Sequence, residues 1–175
     1  MLKEAGVEGF SAELMARNCC FYPDDAAVVA EQLREFLGLD IKLNVVEPSA
    51  GFTAFDNGDY DFAVQATAML FYDPDAAIIN HVTAGDQVTP RYTGLVHPKV
   101  EELYEQQKRS LDLEERRALT QEMEDYLLNV DMAYLGLYWG VRYWPVHNNI
   151  HGFNIPGSGY AHKKHEDIWC DPACK

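Results

Sequence analysis

Positive charge is what this sequence has least of: 14 Lys and Arg stand against 28 Asp and Glu in 175 residues, a formal net charge of −14. Such a surface repels phosphate backbones and anionic lipid, which excludes nucleic acid as a partner. Long apolar runs are missing too. None nears the roughly 20 residues needed to cross a bilayer, and the opening MLKEAGVEGF lacks the apolar stretch and cleavage site of a signal peptide. As written, the chain reads as soluble and untargeted. Cysteine is sparse, with Cys19-Cys20 in one place and Cys170 with Cys174 in another. That spacing fits neither a dense disulfide framework nor the paired C-x-x-C knuckles of a zinc ribbon. Gly51, Gly58 and Gly85 form no phosphate loop, and no Ser or Cys sits in a nucleophile elbow. Glu101-Glu102 falls on a charged, solvated helix face. The chain therefore carries no catalytic constellation and is not read as an enzyme, and no cofactor is implied. Internal repeats and low-complexity tracts are absent.

What is present is an alternation of periods. GFSAELMARN puts Phe10, Ala12, Leu14 and Ala16 on one face, the mark of a half-buried strand ending near Asn18. PDDAAVVAEQLREFLG then switches to helical spacing over about 24–37, with Asp24 or Asp25 as cap and Gly38 at the left-handed position beyond the end. DIKLNVVEP is a strand that Pro48 stops. SAGFTAFDNGDY is a short helix up to Asn57-Gly58, and YDFAVQATAM has the composition of a central strand covered on both faces. Two βαβ-like units in succession imply right-handed crossovers and a parallel core sheet, an α/β fold. Charged helices follow near 97–109 and 112–130, the second opened by an Asp112/Glu115 capping box variant and carrying a stripe of Leu119, Met123, Tyr126, Leu127 and Val130. MAYLGLYWGVRYWPV returns to strand composition, and NNIHGFNIP is a short extended piece. The shift toward Asn, Gly, His and Pro near 145 marks the best boundary.

Taken together, the order GFSAELMARN, LGLDIKLNVVE, FDNGDYDFAVQATAMLFYDPD, ERRALTQEMEDYLLNVDMAYLGLYWGVRY and NNIHGFN resembles the C-terminal part of extracytoplasmic solute-binding proteins of ABC importers, family 5, the peptide, dipeptide and nickel class. The resemblance runs from residue 1 to about 169. It implies one lobe of a type II periplasmic-binding-protein fold, with a mostly parallel central sheet flanked by helices. Residues 1–145 would form the C-terminal ligand-binding lobe, 146–169 a crossover to a missing N-terminal lobe, and 170–175 a tail. The implied function is capture of a peptide-like or other small solute between two lobes for delivery to ABC permease subunits, in a periplasmic or extracytoplasmic setting. On this reading the chain is a fragment that binds weakly alone, and Trp139, Tyr143 and 145–169 leave an apolar surface exposed.

Ligands of open parallel sheets collect at the carboxyl ends of the strands. Two such ends are readable, around Asn18 and Cys19, and from Met69 through Leu70, Phe71 and Tyr72 to Asp73. Met69, Phe71 and Tyr72 would form apolar wall. Asp73 would either contact ligand or, with Pro74 and Asp75, start a helix. Trp139 and Arg142 complete the candidate set, Arg142 either as a carboxylate ligand or in a structural ion pair. Peptide-binding members place an acid where this chain has Leu70, so the resemblance implies a solute anchored in another way. A competing reading is a free-standing metal-binding or interaction domain that uses His162, His165, Cys170 and Cys174. For those cysteines a disulfide or a free tail stands beside metal binding, and Cys19-Cys20 is read as two thiols, or as two cysteines with separate partners, rather than a vicinal disulfide.

Overall fold

Strand β1 (Ser11–Arg17) comes from the alternating SAELMAR stretch and is paired in parallel on both sides. It runs beside β2 (Asp40–Val46) along its whole length and beside β3 (Phe62–Val64) from Leu14 opposite Phe62 to Ala16 opposite Val64. The strand order is β2-β1-β3. The computed structural model describes residues 2–66, 71, 73–83, 92, 94–130, 132, 134–141, 143–155 and 165–171. The chain divides into two compact units, Met1–Ala66 and Thr67–Lys175.

In the first unit, α1 (Tyr22–Leu37) lies on one face of the sheet. Ala26 and Ala30 of α1 close on Ala12, Leu14 and Ala16 of β1, with Ile41, Val64 and Tyr22 completing the core. Alanines on both sides keep the helix near the sheet. Neither Asp24 nor Asp25 caps α1. Phe21 is the N-cap without a side-chain bond, Pro23 sits where no amide is needed, and the two aspartates lie in the first turn, where they answer the helix dipole. Gly38 is left-handed at φ 67° and donates to Arg34 O at 3.0 Å, as its position requires.

The opposite face is covered as well. Helix α2 (Pro48–Asn57) begins at the proline that ends β2, and its Gly51 and Phe55 are buried. Met15 and Arg17, which alternate with the α1-facing residues, are both buried. Thus β1, read as half-buried, is the central strand covered on both faces. Strand β3, read as central, is three residues long and lies at an edge among the described residues. Its Phe62 is partly exposed against Phe10.

The second unit opens with helices. Helices α4 (Pro98–Arg109) and α5 (Leu113–Asp125) pack together, following the short α3 (Asp75–Ile78) and its 3₁₀ extension Ile79–His81. Ile78, Val82, Val100, Leu103, Tyr104, Met123 and Leu127 form its core. Asp112 caps α5, its Oδ1 accepting from the amides of Glu114 and Glu115 at 2.9 Å each. The reciprocal half of the box is relayed, because Ser110 Oγ accepts from the Asp112 amide and bonds the Glu115 carboxylate. Past Asp125 the helix widens into a π turn, Tyr126–Val130. Widening the turn to i→i+5 bonds rotates later residues off the apolar stripe. Leu127 is buried while Val130, expected on the stripe, is exposed.

The strand expected over MAYLGLYWGVRYWPV does not form among the described residues, where Leu135, Leu137, Val141 and Tyr143 are largely exposed and Trp139 is 94% exposed. Instead β4 (Ile150–His151) pairs antiparallel with β5 (Trp169–Cys170). The His151 ring stacks on Trp169 at 4.2 Å, with its Nε2 3.2 Å from Asp171 Oδ2. Gly152, at φ 73°, lies so close to the Asp167 backbone that a Cβ would not fit.

Candidate functional site

Because β1 and β3 run in parallel register, their carboxyl ends emerge together. Ala16 is opposite Val64, and the next residues, Arg17 and Gln65, are bonded, Arg17 Nη2 donating to Gln65 Oε1 at 2.6 Å. The guanidinium lies 4.9 Å from the centre of the Tyr22 ring, at the first turn of α1, and 4.1 Å from that of Phe52 on α2. Gly51 makes room for the arginine stem, since a Cβ there would lie 2.9 Å from Arg17 Cδ and closer still to Cγ. Arg17 is only 6% exposed, and its buried Nε makes no hydrogen bond. No carboxylate pairs with it among the described residues, although acids outnumber bases two to one. A buried cation without a counter-ion is expensive, and two aromatic faces with one amide oxygen offset only part of that cost.

Asn18 and Cys19 follow directly. Asn18 is exposed, its amide bonded to Val46 O at 2.7 Å. Cys19 is half-buried, and its amide turns back onto Arg17 O at 2.7 Å. Both Cys19 and Cys20 are free thiols. Desolvation, and then its contact with Cys20, push the Cys19 thiol above its usual range, so it stays protonated at neutral pH. Burial also raises Tyr22, leaving a neutral phenol beside Arg17.

The remaining nominated residues belong to the second unit. Phe71 is partly exposed. Asp73 bonds Arg116 through both oxygens, Oδ1 to Nη2 at 2.8 Å and Oδ2 to Nη1 at 3.0 Å, and Oδ1 also accepts from the Asp75 amide at 3.1 Å. Hydrogen bonding from Arg116 holds its carboxyl below the usual range. Asp73 therefore anchors the start of α3. Trp139 is exposed on the extended segment. Met69, Leu70, Tyr72 and Arg142 lie outside the described residues. In the tail, Cys170 is disulfide-bonded, which removes it as a thiolate ligand for a metal. His162 and Cys174 lie outside the described residues.

No family model matches the chain, and no curated protein matches it. Solved structures do. HbpA2 from Haemophilus parasuis superposes with a TM-score of 0.74 at 17% identity, over 97% of this chain and 34% of that one. The chain has the fold of part of a periplasmic binding protein. The ABC transporter-associated periplasmic binding protein DppA from Helicobacter pylori, in complex with a peptide, matches with a TM-score of 0.61 at 22% identity over 77% of this chain and 26% of that one. OppA from Listeria monocytogenes, bound to peptide, matches at 0.61 and 25% identity over 75% and 24%. The chain thus spans about a quarter to a third of the length of these three structures. The structural match to family 5 solute-binding proteins agrees with the resemblance read from the sequence.

On this periplasmic-binding-protein fold, sequence reasoning found the carboxyl end of β1 but placed the second strand end at Met69, whereas β3 stops at Val64, and it missed Arg17 and Gln65, which join the two true ends. Arg17 could have been found by its position: it shares a face with Met15, an apolar residue, at the end of a strand with apolar residues on both faces. Gln65 carried no signal of its own. Elsewhere in the first unit a hollow of about 200 Å³ is lined by Glu13, Met15, Asn44, Asp59, Tyr60 and Asp61. Three of these residues bond one another, Asn44 donating to Glu13 and the Glu13 amide to Asp61.

Proposed function

We propose that this chain is a ligand-binding lobe of an ABC-importer solute receptor, which captures a peptide-like or other small solute and passes it to permease subunits in an extracytoplasmic setting. In this reading residues 1–145 form the lobe, 146–169 lead toward an N-terminal lobe and 170–175 are a tail. Asn18 and Cys19 in the first unit, and Met69, Leu70, Phe71, Tyr72, Trp139 and Arg142 in the second, are proposed as solute contacts, with Asp73 fixing the start of α3 just after Tyr72. The observation that carries the reading is Arg17. A buried guanidinium at the carboxyl ends of two parallel strands, flanked by aromatic rings and holding an unused donor, is suited to a carboxylate on the solute. With Leu70 in place of an acid, such a solute is held by its acidic end rather than its amino end.

The test is a titration of the chain, followed by amide and arginine Nε–H resonances, with trialanine and with trialanine amide. The free acid should shift resonances at Arg17, Asn18 and Cys19 saturably, with the amide weaker by about tenfold. Equal responses, or none, would remove Arg17 as the anchor.

A further inference from the structure

We infer that Gln65 is a specificity-determining residue: by being an amide rather than a carboxylate, it reserves the charge of Arg17 for an anionic ligand. The inference rests on the solute-receptor reading above and extends it to a residue that makes the site selective for acids.

The chain contains its own standard for a satisfied arginine. Arg116 donates to Gln107 Oε1 at 3.2 Å from Nε and 3.0 Å from Nη2, and it also holds Asp73 through two bonds. An amide acceptor and a carboxylate together engage all three nitrogens of that guanidinium. Arg17 has the counterpart of the amide in Gln65 but no counterpart of Asp73 among the described residues. Gln65 follows the last residue of β3, and its Oε1 is already at hydrogen-bond distance from Arg17 Nη2. A glutamate there would place an oxygen anion at the same point without lengthening the side chain. It would pair with Arg17 and cancel the charge that a ligand carboxylate would otherwise meet. An isosteric change of one atom therefore separates an anion receptor from an internal ion pair.

Gln65 differs in this from a residue that merely shapes the site. Its hydrogen bond orients the guanidinium between Tyr22 and Phe52, and that role would survive in glutamate. The receptor role would not. Conversely, Gln65→Met removes the hydrogen bond and adds no charge, so it should loosen the arginine while leaving its attraction for acids.

The experiment uses the full chain with N-acetylglycine as the acid probe and N-acetylglycinamide as its neutral twin, both followed at the Arg17 Nε–H resonance, alongside thermal melting. The wild-type chain should respond saturably to the acid and at least about tenfold less to the amide. Q65E should melt higher and lose the acid response by about tenfold or more, whereas Q65M should keep that response within about threefold. An acid response that persists undiminished in Q65E overturns the role of Gln65 and leaves the receptor reading standing. A loss of response in Q65M as large as in Q65E also overturns it, because hydrogen bonding rather than charge would then be decisive. If the wild-type resonance ignores N-acetylglycine, the Arg17 anchor falls and this inference falls with it.

Discussion

The two units treat a partly or wholly buried arginine in opposite ways. In the second, Arg116 ties α5 to Asp73 and to fully buried Gln107, and Gln107 in turn donates to Asp75. Each polar group there serves the fold. In the first, Arg17 is held by two aromatic faces and one amide, with Nε unbonded. The difference separates groups that stabilise from groups that are held ready, since a binding residue must keep bonding capacity that a structural residue would use up.

The sharpest way to break that contrast is to truncate both arginines. Arg116→Met should destabilise the second unit by about 3–4 kcal/mol, because it strands the Gln107 oxygen and the Asp73 carboxylate. Arg17→Met should cost about 1 kcal/mol or less, since a buried unpaired charge leaves with it, while acid binding disappears. Urea unfolding with hydrogen exchange resolved by unit checks both, and equal costs would erase the distinction.

Acid should separate the units next. His81 is buried, stacked on Tyr134 at 4.8 Å and edge-on to Tyr92, and desolvation pushes its pKa down to about 4. The unfolded chain binds this proton near pH 6.5 and the folded chain does not, so stability present above 6.5 is lost as pH falls from about 6.5 to 4. The loss approaches about 3 kcal/mol and levels off below about pH 4. The lowered Asp73 carboxyl acts later, since its contribution fades only below its unfolded value of 3.8. Hydrogen exchange at about pH 7 and about pH 5 should show loosening in α3 and the core around Val82 and Leu127, and His81→Phe should flatten it.

Gly51→Ala tests how tightly the first unit holds its uncommitted arginine. The added methyl displaces the Arg17 stem from between the rings and should cost about 2 kcal/mol, read by thermal melting, together with the acid response. Asp112→Ala is the smallest and purely structural change. Losing the two bonds to the Glu114 and Glu115 amides should cost about 1 kcal/mol in the second unit and leave Arg17 untouched.

Much of the fold was legible because local periods matched their surroundings. The 3.6-residue spacing of α1 and its left-handed Gly38, the turn at Asn57-Gly58, and the Asp112 cap all express backbone constraints that neighbouring residues declare. Burial of strands was less legible. SAELMAR looks one-sided because Glu13 and Arg17 are charged, yet α2 covers that face, and Arg17 is buried through its stem and rings rather than by being apolar. Asp-Pro-Asp read correctly as a helix start, but the anchor for Asp73 lies 43 residues away, and no local pattern announces a partner at that distance. The same holds for Arg17 and Gln65, which meet only because two parallel strands share a register. The expected strand after Tyr134 failed for a related reason: strand composition needs a ladder, and none forms there among the described residues.

The π turn at Tyr126–Val130 has a consequence for how this helix can change length. A π turn is an α-helix that has taken in one extra residue, so it stores a deletion that the helix could accept without breaking. Removing one residue between 126 and 130 would restore ordinary winding at little cost to the helix itself. Because the widened turn takes up that residue locally, the chain beyond Val130 would keep close to its course, and Tyr134 should keep its stack on His81. The segment is thus one place where the chain can lose a residue while the aromatic pair beyond its end stays in register.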